Sequence, residues 1–320
     1  VTPVLTPHIS ICIPAYKNVT HLSRLLDSIR QQTFTDFEVI ITDDSPDSSI
    51  DDFIQQANYP FEIRYFKNSP AAGSPENWNI SIRHAIGKWI KIMHDDDWFS
   101  DANSLNEFYT HSLNTEDSFI FSGFENVYFE KGNSKISKIS FLEKLMLKIT
   151  PLAIYRKNYI GHPSTTLIKN DRQDWFDKTL KWVVDIEFYI RLLREKKSFH
   201  AINKSLICIG MGPEQITSYA FRNREVEIPE CIYLLNKLGD DCLKNIFVFD
   251  YYWRLFRNLN IKNVNEVISH SKNQEIPNIL KKMILLQNKI GLKLLQNNGF
   301  ISKLVMFYMY LLYLLSVLTK

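Results

Sequence analysis

The first hundred residues alternate between short, nearly unbroken apolar runs and stretches in which apolar residues recur every three or four positions. The runs are "ISICIPAY" (9–16), "FEVIITDD" (37–44), "FEIRYFK" (61–67) and "KWIKIM" (88–93), and each reads as a buried strand. Between the first two, "VTHLSRLLDSIRQQ" puts Leu22, Leu25, Leu26 and Ile29 on one helical face. A second helix is predicted near 48–57. A third opens in "SPENWNISIRHAIG", with Ser74 as N-cap, Pro75 in the first turn and Gly87 as the stop. Strands alternating with helices at this spacing predict a parallel sheet wound in βα units. Ligands of such sheets gather beyond the carboxyl ends of the strands. Three of those ends carry Pro14 to Tyr16, Asp43 with Asp44, and Asp95 to Asp97.

From about 100 to 220 the pattern loosens. "SFIFSGFENVYF", "STTLIK" and "KSLICIG" are strand-like, and "VVDIEFYIRLLREKK" is an amphipathic helix. Strand signals stop near 223 and helical stretches run to the end, which predicts one domain over 1–222 and a helical region over 223–320. No internal repeat or low-complexity segment interrupts the chain.

Composition narrows the function classes. Hydrophobic residues at 45% and charged ones at 23% are ordinary for a globular core. A net charge of +3 is too small to point to nucleic acid. The charge is uneven, however. Over the last fifty residues Lys272, Lys281, Lys282, Lys289, Lys293, Lys303 and Lys320 face one acid, Glu275, in a very apolar setting that suggests a membrane surface. "FISKLVMFYMYLLYLLSVL" (300–318) carries only Lys303, and as a helix it would be about 28 Å long, near the thickness of a bilayer core. On one continuous helix Lys282, Lys289 and Lys293 would lie within about 40° of each other. This end is expected to dock peripherally on a membrane, with a spanning helix or packing against its own domain or a second subunit as the alternatives. Cys12, Cys208, Cys231 and Cys242 show no metal-finger spacing and read as core thiols in a reducing compartment. "VTPVLTPH" has no basic-then-apolar signal pattern, so nothing in it points to secretion.

The acidic run in "GKWIKIMHDDDWF" (87–99) carries the candidate chemistry. Three adjacent carboxylates between apolar flanks repel one another and call for a positive partner: a basic side chain, a helix N-terminus or a divalent cation. Their hard oxygens suit Mg²⁺ or Mn²⁺ bridging a diphosphate and suit zinc poorly.

"SICIPAYKN", "QQTFTDFEVIITDDSPD", "NWNISIRHAIGKWIKIMHDDDW" and "WVVDIEFYIRL", in that order, resemble the motifs of the family 2 glycosyltransferases, inverting enzymes of the GT-A fold that use nucleotide-activated sugars. The resemblance covers roughly 9–217. It implies a GT-A, Rossmann-like α/β fold, a mostly parallel sheet flanked by helices, here with a C-terminal helical extension. It also implies residue roles. Asp96 would hold the metal with Asp97 behind it, and Asp95 would help at the ribose or the metal. Asp44 would read the nucleobase, with Pro14, Ala15 and Tyr16 as floor and stacking wall, and Asn79 would touch phosphate or ribose. Asp185 would be the general base that takes the acceptor hydroxyl's proton. Gly161 and His162 in "IGHPSTTLIKND" would line the acceptor side, and Glu187 is the competitor for the base, more simply read as a solvated or salt-bridged position.

Three departures stand out. His94 occupies the place of the usual first metal-motif aspartate, and Val184 replaces the glutamate before the base. The segment "ICIGMGPEQIT" lacks the His or Arg that closes over the diphosphate in many relatives, leaving Arg222 or Arg224 as substitutes. The resulting expectation is transfer of a sugar from a UDP- or dTDP-sugar to a saccharide or lipid-linked acceptor, in bacterial surface polysaccharide synthesis on the cytoplasmic face of the inner membrane. Nucleotidyl transfer would need a glycine- and lysine-rich loop that "PAYKNVTHL" lacks. A degenerate sugar-nucleotide-binding scaffold is the non-enzyme alternative, and intact Asp44, Asp96 and Asp185 argue against it.

Overall fold

The structure, a computed structural model, describes residues 6–171, 175–212 and 219–319. Strands β1 (Ile9–Ala15), β2 (Phe37–Asp43), β3 (Ile63–Lys67) and β4 (Trp89–Ile92) lie side by side in the order β3-β2-β1-β4, all parallel. Every residue of β1 and of β4 is buried, which is why those runs are apolar without alternation. Helix α1 (Val19–Arg30) lays Leu22, Leu25, Leu26 and Ile29 into the core, and its N-cap Asn18 accepts from the His21 amide (3.0 Å). Helices α2 (Ser49–Gln56) and α3 (Glu76–His84) complete the βα units. For α3 the cap differs from expectation: Pro75, not Ser74, is the N-cap, and the chain turns extended at Ala85, before Gly87.

Past β4 the sheet changes character. After β5 (Asp97–Phe99), helix α4 (Ser104–Leu113) leads into β6 (Phe119–Tyr128), which forms a hairpin with β7 (Asn133–Ser137). Then come α5 (Phe141–Ile149), β8 (Thr166–Lys169), α6 (Val184–Lys196) and β9 (His200–Met211). The order continues β4-β8-β6-β9-β5, and only β6 with β9 pairs parallel there. The expected mostly parallel sheet is therefore mixed, parallel in its first half and chiefly antiparallel in its second, because the strict βα alternation stops after β4. Strand β5 left no periodic trace because it has only three residues, Asp97 to Phe99.

The position of β5 shapes the site. Crossing from β4 to β5 over a flat sheet means four strand gaps, about 19 Å. The five steps from Ile92 to Asp97 reach at most about 18 Å. The sheet instead curls, and β5 packs against α1. The acidic run is thus the short span that joins an inner strand to the outermost one.

The chain divides into two compact units, Val1–Lys148 with Tyr159–Glu214, and Ile149–Asn158 with Gln215–Lys320. The second begins near the expected boundary and adds the ten-residue insertion. It is built from α7 (Arg224–Leu238), α8 (Ile246–Asn258), α9 (Val264–His270), α10 (Asn278–Ile290), α11 (Leu292–Asn297) and α12 (Gly299–Leu318). Gly291, at φ 107°, ends α10, so Lys293 falls in a new helix and the stripe expected with Lys282 and Lys289 is not continuous. Helix α12 packs one face on α8, where Trp253 Nε1 donates to Ser302 Oγ (3.0 Å) and Lys303 pairs with Asp250. Asp250 also pairs with Arg254 (2.9 Å), so one carboxylate serves two cations. The other face of α12 leaves Phe300, Leu304, Phe307, Tyr308, Leu311, Leu312, Leu315 and Leu318 exposed. By length and composition alone α12 could cross a membrane, although one face is used for packing.

Candidate active site

The carboxyl ends of β1, β2 and β4 meet, as parallel register demands: Ala15 pairs with Asp43, and Cys12 with Ile92. Asp43 accepts from Tyr65 Oη, Lys67 Nζ (both 2.8 Å) and the Ser45 amide (2.7 Å), so it braces the end of β2 rather than capping α2. Asp44 is buried and accepts from Asn68 Nδ2 (2.7 Å) and the amides of Ala72 (3.0 Å) and Gly73 (2.7 Å). Those donors use three of the roughly four lone-pair sites of a carboxylate. Asn77 ties the same ends together by donating to the Thr42 carbonyl (3.0 Å) and accepting from Asn68 (2.9 Å). Pro14 is buried, Ala15 is fully buried and offers only its backbone, and Tyr16 is 53% exposed, with Lys17 Nζ 4.7 Å from its ring centroid. The Tyr16 amide donates to Asp95 Oδ2 (3.0 Å), which joins the ends of β1 and β4.

His94, Asp96 and Asp97 bring one ligand atom each to within 4.8 Å of the others. Asp97 is buried, its Oδ2 has no hydrogen-bond partner, and neither has His94 Nε2. Two orphaned polar atoms at the mouth of one carboxylate–imidazole cluster fit a cation, since buried polar groups are otherwise paired. Electrostatics point the same way. Burial and the Asp96 charge push Asp95 up to about 7, against the Tyr16 amide, and raise Asp97 well above the usual carboxylate range, against the Ser164 hydroxyl and the Gly210 amide. Burial pushes His94 down to about 4, leaving it a neutral imidazole, the form that binds metals.

Two basic side chains that the sequence pattern had not singled out lie beside the run. Lys91 of β4 is fully buried, donates to the Ser164 carbonyl, and sits 4.9 Å from the Phe108 ring centroid. Arg24 of α1 donates to the Asp96 carbonyl (2.7 Å) between the rings of Trp98 (4.1 Å) and Phe129 (4.9 Å). Burial lowers the pKa of both. Gly210 permits this packing, because a Cβ there would lie 2.5 Å from the Asp96 carbonyl oxygen. A lysine within the otherwise apolar "WIKI" was the available signal for the first.

The sign of the Asp95 shift gives an expected result. Its native carboxyl holds a proton up to about 7, whereas an unfolded aspartate releases it near 3.9. Between those values the folded state binds more protons, so metal-free protein loses stability as pH rises from about 4 to about 7. Melting temperature in EDTA should fall over that window. Mn²⁺ should raise it more at pH 7.5 than at pH 5, because ligands must be deprotonated. A flat profile in EDTA would count against this reading of the cluster.

The remaining predicted residues separate into two groups. Gly161, at φ 96°, lies against Phe124, where a Cβ would meet the ring at 2.5 Å. His162 follows, within the electrostatic reach of both Asp96 and His94, and burial lowers its pKa. Asp185 stands half-buried in the first turn of α6, and its charge bears on Tyr189, whose hydroxyl donates to the Gly161 carbonyl (3.2 Å). The Gly161–His162 turn thus connects α6 to the acidic run.

Glu187 and Asn79 lie elsewhere. Glu187 is buried rather than solvated and is paired with Arg191 (3.0 Å), which also donates to the Trp175 carbonyl. Asn79 is buried and clamps the Phe176 backbone, donating to its carbonyl (2.8 Å) and accepting from its amide (3.0 Å). It leaves the nucleotide-binding set, because both ends of its amide are engaged away from the strand ends. In the second unit, Arg224 is held by the Leu259 and Asn260 carbonyls and Glu266, which removes it as a phosphate ligand. Residues 213–218, in the segment compared with the closing loop, lie outside the described residues.

Residues 10–173, over half of the chain, match the profile of Glycosyl transferase family 2. The chain belongs to this family. An uncharacterized glycosyltransferase of Haemophilus influenzae is 25% identical over 190 residues, which cover 58% of this chain and 62% of that protein. The chain therefore spans less than two thirds of that relative. An Escherichia coli K12 protein named as a colanic acid biosynthesis glycosyl transferase, WcaA, is 25% identical over 217 residues, 66% of this chain and 76% of its own. Among solved structures, Staphylococcus aureus TarS 1-349 in complex with UDP-GlcNAc superposes with a TM-score of 0.61 at 16% identity, covering 78% of this chain and 72% of that one. Mannosyltransferase PcManGT from Pyrobaculum calidifontis, in complex with GDP-Man and Mn²⁺, gives 0.54 at 12% identity, covering 97% and 86%. These likenesses establish the GT-A fold.

Proposed function

We propose that this glycosyltransferase moves a sugar, with inversion, from a UDP- or dTDP-sugar to a hydroxyl of a saccharide or lipid-linked acceptor during synthesis of a bacterial surface polysaccharide. The observation that carries the reading is the convergence of Asp44, Asp95 and the His94–Asp96–Asp97 cluster at the carboxyl ends of β2 and β4. Asp44 accepts from the nucleobase on the lone pair its three loop donors leave, and the exposed Tyr16 ring stacks on the base. His94, Asp96 and Asp97 hold Mn²⁺ or Mg²⁺, which when bound supplies the positive charge that a departing diphosphate requires. Asp185 removes the acceptor proton, oriented by its place in the first turn of α6. Gly161 and His162 line the acceptor side. Arg24 and Lys91 keep the acidic run in shape from behind.

Colanic acid, named for the E. coli relative, supports the polysaccharide setting, and the UDP-GlcNAc complex of TarS supports a uridine donor. The exposed apolar face of α12 supports peripheral attachment to the cytoplasmic face of the inner membrane, with the first unit, Val1–Lys148 with Tyr159–Glu214, as the catalytic domain. A thermal-shift panel of UDP, dTDP, GDP and ADP with Mn²⁺ tests the donor. Ligand at 100 times Kd stabilises by about 2.7 kcal/mol. UDP or dTDP should give the largest rise, and a larger rise with GDP would reassign the base-reading role of Asp44.

A further inference from the structure

The catalytic unit has its own apolar and basic surface, separate from α12. Helix α5 opens with a reciprocal capping box: Ser140 N donates to Glu143 Oε2 (2.8 Å) and Glu143 N to Ser140 Oγ (3.3 Å). The helix is therefore fixed from its first residue, yet Phe141 is 79% exposed, Leu142 66% and Leu145 45%, and Ile149 at its end, where the second unit begins, 73%. At 100° per residue these four fall within an arc of about 100°, and Lys144 and Lys148 lie within about 60° of one edge. Leu147, on the opposite side, is the helix's buried anchor. The hairpin that precedes it adds exposed Lys131, Lys135 and Lys138 around Ile136, itself 56% exposed. From Lys131 to Lys148 five lysines face one acid, Glu143.

We infer that α5 and the β6–β7 hairpin dock the catalytic unit on an anionic phospholipid surface, with Phe141, Leu142 and Leu145 entering the headgroup boundary and the lysines meeting lipid phosphates. An amphipathic helix with aromatic and leucine residues on one side and lysines beside them has the makeup of an in-plane membrane helix. A second copy of the chain is the poorer occupant. A two-fold contact sets the same patch against itself, lysine against lysine, and the cores of such interfaces are depleted in lysine. This docking extends the membrane part of the proposed function to the unit that carries the active site.

The test uses the full chain with Phe141→Cys carrying an environment-sensitive fluorophore. The four native thiols are buried and do not compete for the label. Leu312→Cys, on the exposed face of α12, is labelled in parallel. Phosphatidylglycerol–phosphatidylcholine vesicles should raise and blue-shift emission at position 141, whereas phosphatidylcholine alone should do so weakly. Lys144→Gln with Lys148→Gln should lower the partition coefficient about 30-fold, the effect of losing about 1 kcal/mol per lysine, and the remaining binding should be less salt-sensitive. A response at 312 with none at 141 overturns this inference and leaves tail docking intact. Silence at both positions overturns both. A response at 141 to protein concentration without vesicles assigns the surface to a second copy and also overturns it.

Discussion

Asp185→Asn is expected to lower turnover by roughly 10²- to 10⁴-fold, the usual contribution of a positioned proton acceptor, while leaving donor affinity unchanged. The amide keeps the shape of the carboxylate but cannot take a proton, so only the step that needs a base suffers. Glu187→Gln is the control. Its carboxylate is buried and paired with Arg191 on the same helix, so its loss weakens the anchoring of α6 to the Trp175 carbonyl. That variant should melt lower and retain most of its turnover. Single-turnover rates and melting curves of the two proteins, measured together, distinguish the roles. The pattern reversed, with Glu187→Gln inactive and Asp185→Asn active, would move the base to Glu187.

The second large effect is expected at Asp96. In the metal-free state burial, and after it the Asp96 charge, raises both Asp95 and Asp97, and Asp96 also bears on Arg24 and on the His94 and His162 rings. Removing it as Asp96→Ala takes a ligand from the cation and relieves repulsion in the run. Metal-free protein should therefore melt no lower, or higher, than the wild type, while turnover with Mn²⁺ falls to background. Loss of activity accompanied by a large loss of metal-free stability would instead make Asp96 a structural residue. The combination of opposite signs is what a purely structural role cannot give.

Much of the first half of the fold was legible because β1 and β4 are buried on both faces and α1 shows a clean apolar stripe. The stripe Leu22, Leu25, Leu26 and Ile29 is buried as the pattern requires. The second half was less legible for two reasons. Strand β5 is too short to show a period, and the antiparallel pairing of β4 with β8 joins residues nearly eighty positions apart, as Trp89 with Lys169. Local patterns carry no trace of such partners. The tail shows a similar limit: a wheel drawn through Lys293 assumes a continuous helix, and Gly291 breaks it.

For the site, strand-end position pointed to Asp43 with Asp44 and to Asp95 to Asp97, and the family resemblance supplied the roles expected of them. Neither could tell which polar atoms are already engaged. Asn79 looked available in sequence and is tied to Phe176, while Asp44 holds the 68–73 loop as well as facing the strand ends. Lys91 and Arg24 were missed because their significance comes from tertiary contact, with Ser164 and with the Asp96 carbonyl. His94 stood out in sequence only as a departure from the family motif. Its unpartnered Nε2 beside two carboxylates turns that departure into a candidate ligand.

The central claim is that a nucleoside diphosphate and the acidic run share a site only through a divalent cation. Isothermal titration of UDP into the full-length wild-type chain, once with Mn²⁺ and once with EDTA, tests it most directly. Without a cation the diphosphate faces the Asp96 charge with nothing between them to bind both, so UDP should bind in Mn²⁺ and show little or no heat in EDTA. Equal affinity in the two conditions would contradict the account, because the diphosphate would then be held by something other than the His94–Asp96–Asp97 cluster.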